Sequence, residues 1–201
     1  YFEMGKLQAN NNSPQVETLP IIHIGGEPNW SIQENNIKRK SNEKGTMDGL
    51  YVKSTFTQGC LFTGTVSIDS ANDRTGFIMT TPLKSKEEHQ TVIGKENSTY
   101  NVADRNGQLG DFNTDEKSEL EFKIYVWPDQ NTWKSISFFK SKGKSDDGQF
   151  MVNSLELSTL AFQFGLFSTG KTEFKNIQYQ ILDSKWDPLA EPIIKDVIKD
   201  I

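Results

Sequence analysis

The sequence has 201 residues and is poor in arginine and cysteine. Only Arg39, Arg74 and Arg105 carry a guanidinium, so planar, bidentate recognition of a carboxylate or phosphate is limited to three positions. The single cysteine, Cys60, excludes an internal disulfide framework and any multi-cysteine metal site. Because Cys60 opens an apolar run, we expect a buried structural thiol there.

Catalytic and metal-binding motifs are also missing. The two histidines, His23 and His89, lie in different segments, and neither has a second ligand at the spacing of a metal site. The sequence contains neither the G-x-S-x-G elbow of serine hydrolases nor a phosphate-binding glycine loop. We therefore expect no cofactor, and we interpret both histidines as surface or turn residues.

Acidic residues outnumber basic ones, 27 against 22, which gives a net charge of −5. A chain of this charge offers no broad basic surface for phosphates, so nucleic acids and anionic membranes are poor candidates as partners. No apolar run approaches the roughly 18 residues that span a bilayer. Membrane insertion is therefore not expected either.

Short β-rich runs fill the chain from residue 30 to residue 182, separated by clusters of Gly, Asn, Asp and Ser. This spacing, with no helical pattern between the runs, predicts an all-β antiparallel sandwich or barrel. We divide the chain into an N-terminal tail and edge segment (1–29), a β-sandwich domain (30–182) and a C-terminal amphipathic helix (183–201). Within the first segment, VETLPIIHI is either an edge strand or a docking segment. The runs are NIKRK, GLYVKS, CLFTGTVSID, TGFIMTT, TVIG, STYNVA, ELEFKIYVW, KSISFFK, GQFMVN, LAFQFGLF and TEFKNIQYQIL.

The run ELEFKIYVW has the clearest strand alternation. Its first face is apolar and predicts core; its second combines aromatic rings with charges. That second face is either a sugar-binding surface or an ordinary solvated face with aromatic cross-strand pairs. The first face is Leu120, Phe122, Ile124 and Val126, and the second is Glu119, Glu121, Lys123, Tyr125 and Trp127.

The last run, TEFKNIQYQIL, loses its alternation in the middle. Ile177, Tyr179 and Ile181 share one face, whereas Phe174 would fall on the opposite face of a regular strand. A β-bulge at residues 175–176 restores the phase and returns Phe174 to the core.

The C-terminal segment changes to helical spacing of apolar residues. Asp187 followed by Pro188 predicts the start of a helix, although Pro192 leaves its first turn uncertain. The helix can pack on the sandwich, begin a further module or self-associate, and we favour packing on the sandwich.

The segment YNVADRNGQLGDFNTDE is rich in oxygen ligands but does not follow the grammar of a calcium loop. We interpret DRNG as a turn between two strands, with Asn106 and Gly107 forming the hairpin. KSDDGQ, with Asp147 and Gly148, predicts a similar turn. A structural calcium ion between such turns stays open.

The order of several segments resembles the concanavalin A-like (laminin-G-like) sandwiches, and among them the carbohydrate-binding modules of levanases and other fructan-acting hydrolases. The closing strand matches best, at Gly170, Phe174, Asn176 and Ile177. The segments are NWSIQENNIKRKSN, GLYVKSTFTQGCLFTGTVSID, DRTGFIMTT, STYNVADRNGQL, ELEFKIYVW and LAFQFGLFSTGKTEFKNIQYQIL. The resemblance implies a curved, jelly-roll-like sandwich of two antiparallel sheets that holds a terminal sugar or a short glycan on its concave face or rim.

This chain departs from the resemblance at one position. Relatives often carry an arginine where it has Met79 and Thr80. A charge-assisted contact to sugar hydroxyls would therefore depend on Arg74 or Arg105.

The resemblance favours a non-catalytic carbohydrate-binding module or lectin-like domain within a larger extracellular or cell-surface protein. Sugars stack their C–H faces on aromatic rings while their hydroxyls meet polar side chains, so the binding residues should be exposed. The candidates are Tyr100, Asp104, Arg105, Tyr125, Trp127 and Trp133, with Trp127 and Trp133 on one rim, whereas Trp30 and Trp186 are expected in the core.

Two alternatives stay open. A glycoside hydrolase or lyase of the same fold could use Glu119 and Glu121, which lie about 7 Å apart on one strand face. A structural or adhesion domain would contact neighbouring domains of its polypeptide through the C-terminal helix.

Overall fold

The computed structural model describes residues 16–18, 21–24, 30–40, 48–52, 55–69, 73–80, 88–96, 99–104, 107–113, 119–130, 132–143, 149–155 and 161–198. The first eight strands are β1 (Val16–Thr18), β2 (Ile21–Ile24), β3 (Trp30–Gln33), β4 (Asn36–Arg39), β5 (Asp48–Val52), β6 (Cys60–Ile68), β7 (Arg74–Thr80) and β8 (Glu88–Glu96). The remaining strands are β9 (Thr99–Asp104), β10 (Gly107–Asn113), β11 (Leu120–Asp129), β12 (Thr132–Ser141), β13 (Gln149–Leu155), β14 (Gln163–Ser168) and β15 (Thr172–Ile181).

The strands form two antiparallel sheets, so the predicted all-β sandwich is confirmed. Sheet I has the order β13-β12-β11-β6-β15-β4-β3, and β1 also pairs with β15. Sheet II has the order β10-β9-β8-β7-β14-β5-β2. Because β2 is the last strand of sheet II, the edge-strand interpretation of residues 21–24 is confirmed.

The core lies between the two sheets and is rich in aromatic rings. Phe62 of β6 stacks on Phe164 of β14 with ring centroids 3.9 Å apart, which joins sheet I to sheet II. The predicted inner face of β11 is confirmed, since all four of its apolar side chains are buried in this cluster. Trp30 belongs to the same core. Cys60 is fully buried, and burial raises the pKa of its thiol, as expected for a structural cysteine.

The predicted bulge in β15 is confirmed by the register of its pairing with β6. Lys175 pairs with Thr65 and Gln178 pairs with Thr63, so two residues, 176 and 177, lie opposite Gly64. The extra residue places both Phe174 and Ile177 in the core.

The bulge is anchored by the hairpin between β3 and β4. Asn176 adopts a left-handed conformation with φ of 52°, which asparagine tolerates better than most residues. Its backbone N–H donates to the side-chain oxygen of Asn36 at 3.2 Å, and the backbone N–H of Ile177 donates to the carbonyl of Asn35 at 3.0 Å. Both backbone donors that the register shift takes out of the ladder are therefore satisfied.

Apart from β1 and β2, which lie in the edge segment, two strands were absent from the predicted runs, β3 and β10. Asp104 pairs with Gly107, so a hairpin between two strands is confirmed, but Gly107, which was predicted in the turn, already belongs to the second strand, β10. Its glycines hide the strand in the sequence, and a register shift between Leu109 and Phe112 interrupts its pairing. Residues 105–106, and the second predicted turn at 147–148, lie outside the described residues.

The C-terminal helix begins later than the sequence predicts. Asp187 caps a 3-10 turn, Pro188–Ala190, through a hydrogen bond from the backbone N–H of Leu189. The α-helix, α1, then spans Pro192–Ile198. Pro192 forces this delay, because the residue before a proline avoids helical geometry and Glu191 is extended at φ −77° and ψ 117°. No helix in the described part of the chain is long and apolar enough to cross a membrane.

Replacing Gly64 opposite the bulge should destabilise the sandwich. A Cβ at this position would lie 2.7 Å from Cδ1 of Ile177 and 3.0 Å from both the carbonyl oxygen of Lys175 and Cζ of Phe122. We expect Gly64→Ala to lower the free energy of unfolding by about 1–3 kcal/mol in urea denaturation. Ser67→Ala on the same strand adds no atoms and should change it by less than about 0.5 kcal/mol. Equal effects of the two variants would contradict the tight packing described for the bulge.

Candidate functional site

The outward side of sheet I is organised in rows that run across four strands, β15, β6, β11 and β12. The pairing registers define three neighbouring rows, about 7 Å apart along the strands. The charged row is Lys175, Thr65, Glu121 and Lys140; the middle row is Gln178, Thr63, Lys123 and Phe138; the apolar row is Gln180, Leu61, Tyr125 and Ile136. The chemistry of this face therefore changes from charged to apolar within three rows.

A groove with a volume of about 570 Å³ lies over the charged and middle rows. Its lining includes hydroxyls, amides, ammonium groups and a carboxylate, together with the ring of Phe138. Asn176 of the bulge borders it on one side, and Ile193 of α1 borders it toward the apolar row. We call this feature the groove.

A buried carboxylate forms a charged rim beyond the groove. Glu119 has a side chain that is only 10% exposed, and it accepts hydrogen bonds from Lys175 at 2.5 Å and from Lys142 at 2.9 Å. Burial alone would raise the pKa of the Glu119 carboxyl, but the two lysines outweigh it and hold the pKa below its usual value. The same hydrogen bond raises the pKa of Lys175. Both shifts favour the charged forms of Glu119 and Lys175 at neutral pH.

Inside the groove, Glu121 and Lys140 form a second ion pair. They are cross-strand partners, and the carboxylate lies 3.2 Å from the ammonium. Lys123, two residues further along β11, is exposed and forms no ion pair with any described residue.

The apolar row is covered by the segment that follows β15, residues 183–198, which we call the tail. The indole of Trp186 lies parallel to the ring of Tyr125 at 5.9 Å and meets Trp127 edge-on at 5.7 Å. Ile194 of α1 is fully buried in the same cluster, next to Ile136. The expectation that the C-terminal helix packs on the sandwich is thus confirmed for the described part of the tail.

A hydrogen bond fixes the tail on the sheet. The indole N–H of Trp186 donates to the carboxylate of Glu191 at 3.0 Å. Burial, with a smaller effect of the Glu191 charge, raises the pKa of the Tyr125 phenol. Trp186 was expected in the core between the sheets, but it is half-buried on the outward face instead.

The predicted ligand-binding aromatics do not meet at one surface. Tyr100 is fully buried between the sheets, where its hydroxyl accepts a hydrogen bond from the backbone N–H of Ile68. Trp133 is 2% exposed and packs edge-on against Phe162. The expectation that these two rings are exposed is wrong, because the strand alternation directs both into the core.

Tyr125 and Trp127 do lie on the predicted outward face of β11, but the tail covers them to 7% and 8% exposure. The expected shared rim of Trp127 and Trp133 is wrong. Trp133 pairs with Pro128, so it lies on the face opposite Trp127.

The remaining predicted residues belong to sheet II or lie outside the description. Asp104 has a side chain that is 1% exposed, 3.6 Å from Nε2 of the equally buried His89. The interpretation of His89 as a surface or turn residue is therefore wrong. Arg105 is outside the described residues, and Arg74 lies at the start of β7 in sheet II, where its guanidinium donates to the carbonyl of Asp73. None of these described residues lines the groove.

The predicted catalytic pair is engaged in ion pairs. Glu119 is bound by two lysines and Glu121 by one, so within the described structure neither is a free carboxyl. A general acid needs a raised pKa, and that of Glu119 is lowered. No group of three or more potential metal ligands occurs among the residues that the structure describes.

Sequence reasoning did not single out Thr63, Thr65, Phe138 and Gln178 as site residues. Only the pairing register shows that these residues lie together, since each is an ordinary outward residue of its own strand. Lys123 was placed on the outward face of β11 that was interpreted as either a sugar-binding or a solvated surface, but it was not among the candidate binding residues.

No protein-family model and no curated protein sequence matches this chain. The carbohydrate binding module CBM66 from Bacillus subtilis superposes with a TM-score of 0.50 at 9% identity, covering 81% of this chain and 96% of that one. A β-glucanase from Bacillus licheniformis superposes at 0.54 with 8% identity, over 87% of this chain and 100% of that one. Peanut lectin superposes at 0.50 with 10% identity, over 88% and 96%.

These neighbours are all concanavalin A-like β-sandwiches, so the chain has the concanavalin A-like fold that the resemblance implies. Identities of 8–10% establish the fold alone.

Removing the charge of Glu119 should make the free energy of unfolding less dependent on pH. A folded-state pKa below the unfolded one stabilises the protein at neutral pH, and this stabilisation is lost as the pH falls through the folded-state pKa. We expect Glu119→Gln to cost about 1–2 kcal/mol at pH 7 and to flatten the loss of stability in acid. The control is Glu173→Gln, whose partner Lys38 is 62% exposed at 3.5 Å. Urea titrations between pH 3 and pH 7 measure the free energy of unfolding of both variants. If Glu119→Gln loses stability in acid as steeply as the wild type, the lowered pKa of Glu119 is contradicted.

Loss of the Trp186 indole should uncover the apolar row. We expect Trp186→Ala to reduce the free energy of unfolding by about 1–3 kcal/mol and to increase binding of a hydrophobic dye. Trp186→Phe keeps a ring over Tyr125 but loses the hydrogen bond to Glu191, so it should have a smaller effect. Wild-type stability in Trp186→Ala would show that the tail contributes little to the fold.

Proposed function

We propose that this chain is a non-catalytic carbohydrate-binding domain and that the groove on sheet I is its binding site. The observation that supports this most directly is the composition of the groove. It brings hydrogen-bond donors and acceptors from four strands around one aromatic ring, Phe138. Sugar hydroxyls require both kinds of group, and the C–H face of a sugar packs on an aromatic ring.

The groove is rigidly supported. Its floor consists of paired strands, and its bulge-side wall is held by the hydrogen bonds from residues 176 and 177 to the β3–β4 hairpin. A site on sheet strands loses little conformational entropy when a ligand binds. The fold also supports the proposal, since a carbohydrate binding module and a lectin share it.

Binding without catalysis is favoured over hydrolysis. Glu119 and Glu121 share the outward face, but both are held by lysines. An enzyme of this architecture would need one carboxyl that stays protonated at working pH, and the pKa of Glu119 is shifted in the other direction.

We further propose that the domain belongs to a larger secreted or cell-surface protein, with a polysaccharide as partner. The tail offers a second role, as a contact to a neighbouring domain of the same polypeptide. Leu189 is 52% exposed and Ile193, which borders the groove, is 44% exposed, so the tail presents two large apolar side chains to solvent.

A glycan array followed by calorimetry on the full chain tests the proposed binding. We expect saturable binding of an oligosaccharide or polysaccharide, about fivefold weaker in Gln178→Ala, which removes one hydrogen-bonding amide. Phe138→Leu should weaken it as well, because it keeps apolar volume but removes the aromatic face. Gln33→Ala, an exposed glutamine of β3 outside the groove, is the matched control and should bind normally.

Absence of binding across the array, with the protein folded, would contradict the proposal and favour the structural or adhesion role. Binding that persists in both groove variants would place the site elsewhere on the molecule. The same titrations with EDTA test whether a structural calcium ion contributes.

A further inference from the structure

We propose that the groove selects glycans that carry a carboxylate, such as polymers of uronic acids, and that Lys123 is the residue that recognises the carboxylate. This inference rests on the proposed function and specifies its ligand class. It is carried by three independent features of the groove: an uncompensated ammonium, an unsatisfied buried hydroxyl and a local surplus of positive charge.

The first feature is the position of Lys123 in the middle row. It pairs with Thr63 on one side and with Phe138 on the other, so it shares the outward face and the lining of the groove with both. Its neighbour Glu121 is already bound to Lys140 at 3.2 Å. Among the described residues that line the groove, Lys123 is the cation with no carboxylate partner.

The second feature is the hydroxyl of Thr65 on the groove floor. The residue is 7% exposed, and its Oγ1 forms no hydrogen bond within the described part of the chain. A buried hydroxyl without a partner is unfavourable and uncommon in folded proteins. An oxygen of a bound ligand, in the groove that Thr65 lines, would satisfy it.

The third feature is the charge of the groove and its rim. Among the described residues of the groove and its rim, lysines exceed glutamates by four to two, although the whole chain has a net charge of −5. The residues are Lys123, Lys140, Lys142 and Lys175 against Glu119 and Glu121. A local excess of cations on an acidic protein attracts an anionic ligand to this place and repels it elsewhere.

The other groups in the groove indicate that the anion is part of a sugar. Gln178 and Asn176 contribute amides to the lining of the same groove, and Phe138 adds an aromatic face. A free phosphate or a nucleic acid backbone needs several convergent cations and no such face. A carboxylated sugar uses the whole set, because one ring offers hydroxyls, a C–H face and a charge.

The test compares two ligands that have the same sugar backbone and differ in the charge of their carboxyl groups, which the ester removes by adding a methyl group to each. One is a polygalacturonic acid oligomer, and the other is the same oligomer with its carboxyls methyl-esterified. For the full chain at low ionic strength we expect the acid to bind at least about tenfold more tightly, as one charge-assisted hydrogen bond implies. The preference should decrease as salt is raised through physiological ionic strength, because Lys123 is exposed and its interactions are screened.

Three variants assign the preference to one residue. Lys123→Met keeps the alkyl chain but loses the charge, so most of the preference for the acid over the ester should be lost. Lys123→Arg should retain the preference. Lys38→Met is the control: it also removes an exposed lysine from sheet I, away from the groove, and should leave the preference unchanged.

The outcomes separate this inference from the proposed function. If neutral glycans bind in the groove, with sensitivity to Gln178→Ala but no preference for acids, the proposed function stands and the role of Lys123 is overturned. If poly-glutamate or single-stranded DNA binds as tightly as the acidic oligomer, the groove recognises charge alone and the inference is overturned. If no glycan binds to the folded protein, both fail.

Discussion

The register shift at Asn176 and Ile177 fixes the core and the outward face of sheet I at the same time. It returns Ile177 to the inside after Phe174, and it leaves Lys175 and Gln178 outside on consecutive rows. A regular strand would place either Phe174 or the later apolar residues of β15 in solvent. Because the hairpin β3–β4 accepts both displaced backbone donors, the shift occurs without unsatisfied hydrogen bonds. The register shift that the core requires therefore also forms the bulge that borders the groove.

How far the sequence predicts this molecule depends on the range of the interactions involved. The bulge and the inner face of β11 are local, since a broken or regular alternation over ten residues reports them directly. The faces of Trp127 and Trp133 are less local, because they depend on how the hairpin pairs residues 128 and 133. The contact between Trp186 and Tyr125 joins residues about sixty positions apart, and no pattern in either segment shows it. The expected exposure of Tyr125 and Trp127 failed for this reason, because the sequence identified the two rings but not the tail that covers them.

The net charge of the whole chain does not describe the charges around the groove. The acidic total is a sum over the chain, whereas a ligand within a groove responds to charges within about 8 Å at physiological ionic strength. On sheet I most lysines are neutralised by a carboxylate on the adjacent strand, as Lys140 is by Glu121. The remaining local charge depends on the few positions where a charged side chain has no oppositely charged partner on the adjacent strand. Lys123 stands at such a position, between a threonine and a phenylalanine.

The tail lies on the same outward surface as the groove and forms one end of the groove. Ile193 borders the groove, and the adjacent Ile194 is buried over the apolar row, so the position of α1 determines how many rows remain open to solvent. A tail that ended earlier would leave a longer platform with Tyr125 and Trp127 as additional stacking rings. Under the proposed function, the length of glycan that the groove accommodates would depend on the segment after the last strand, where substitution or truncation can change it while the register of the described strands stays the same.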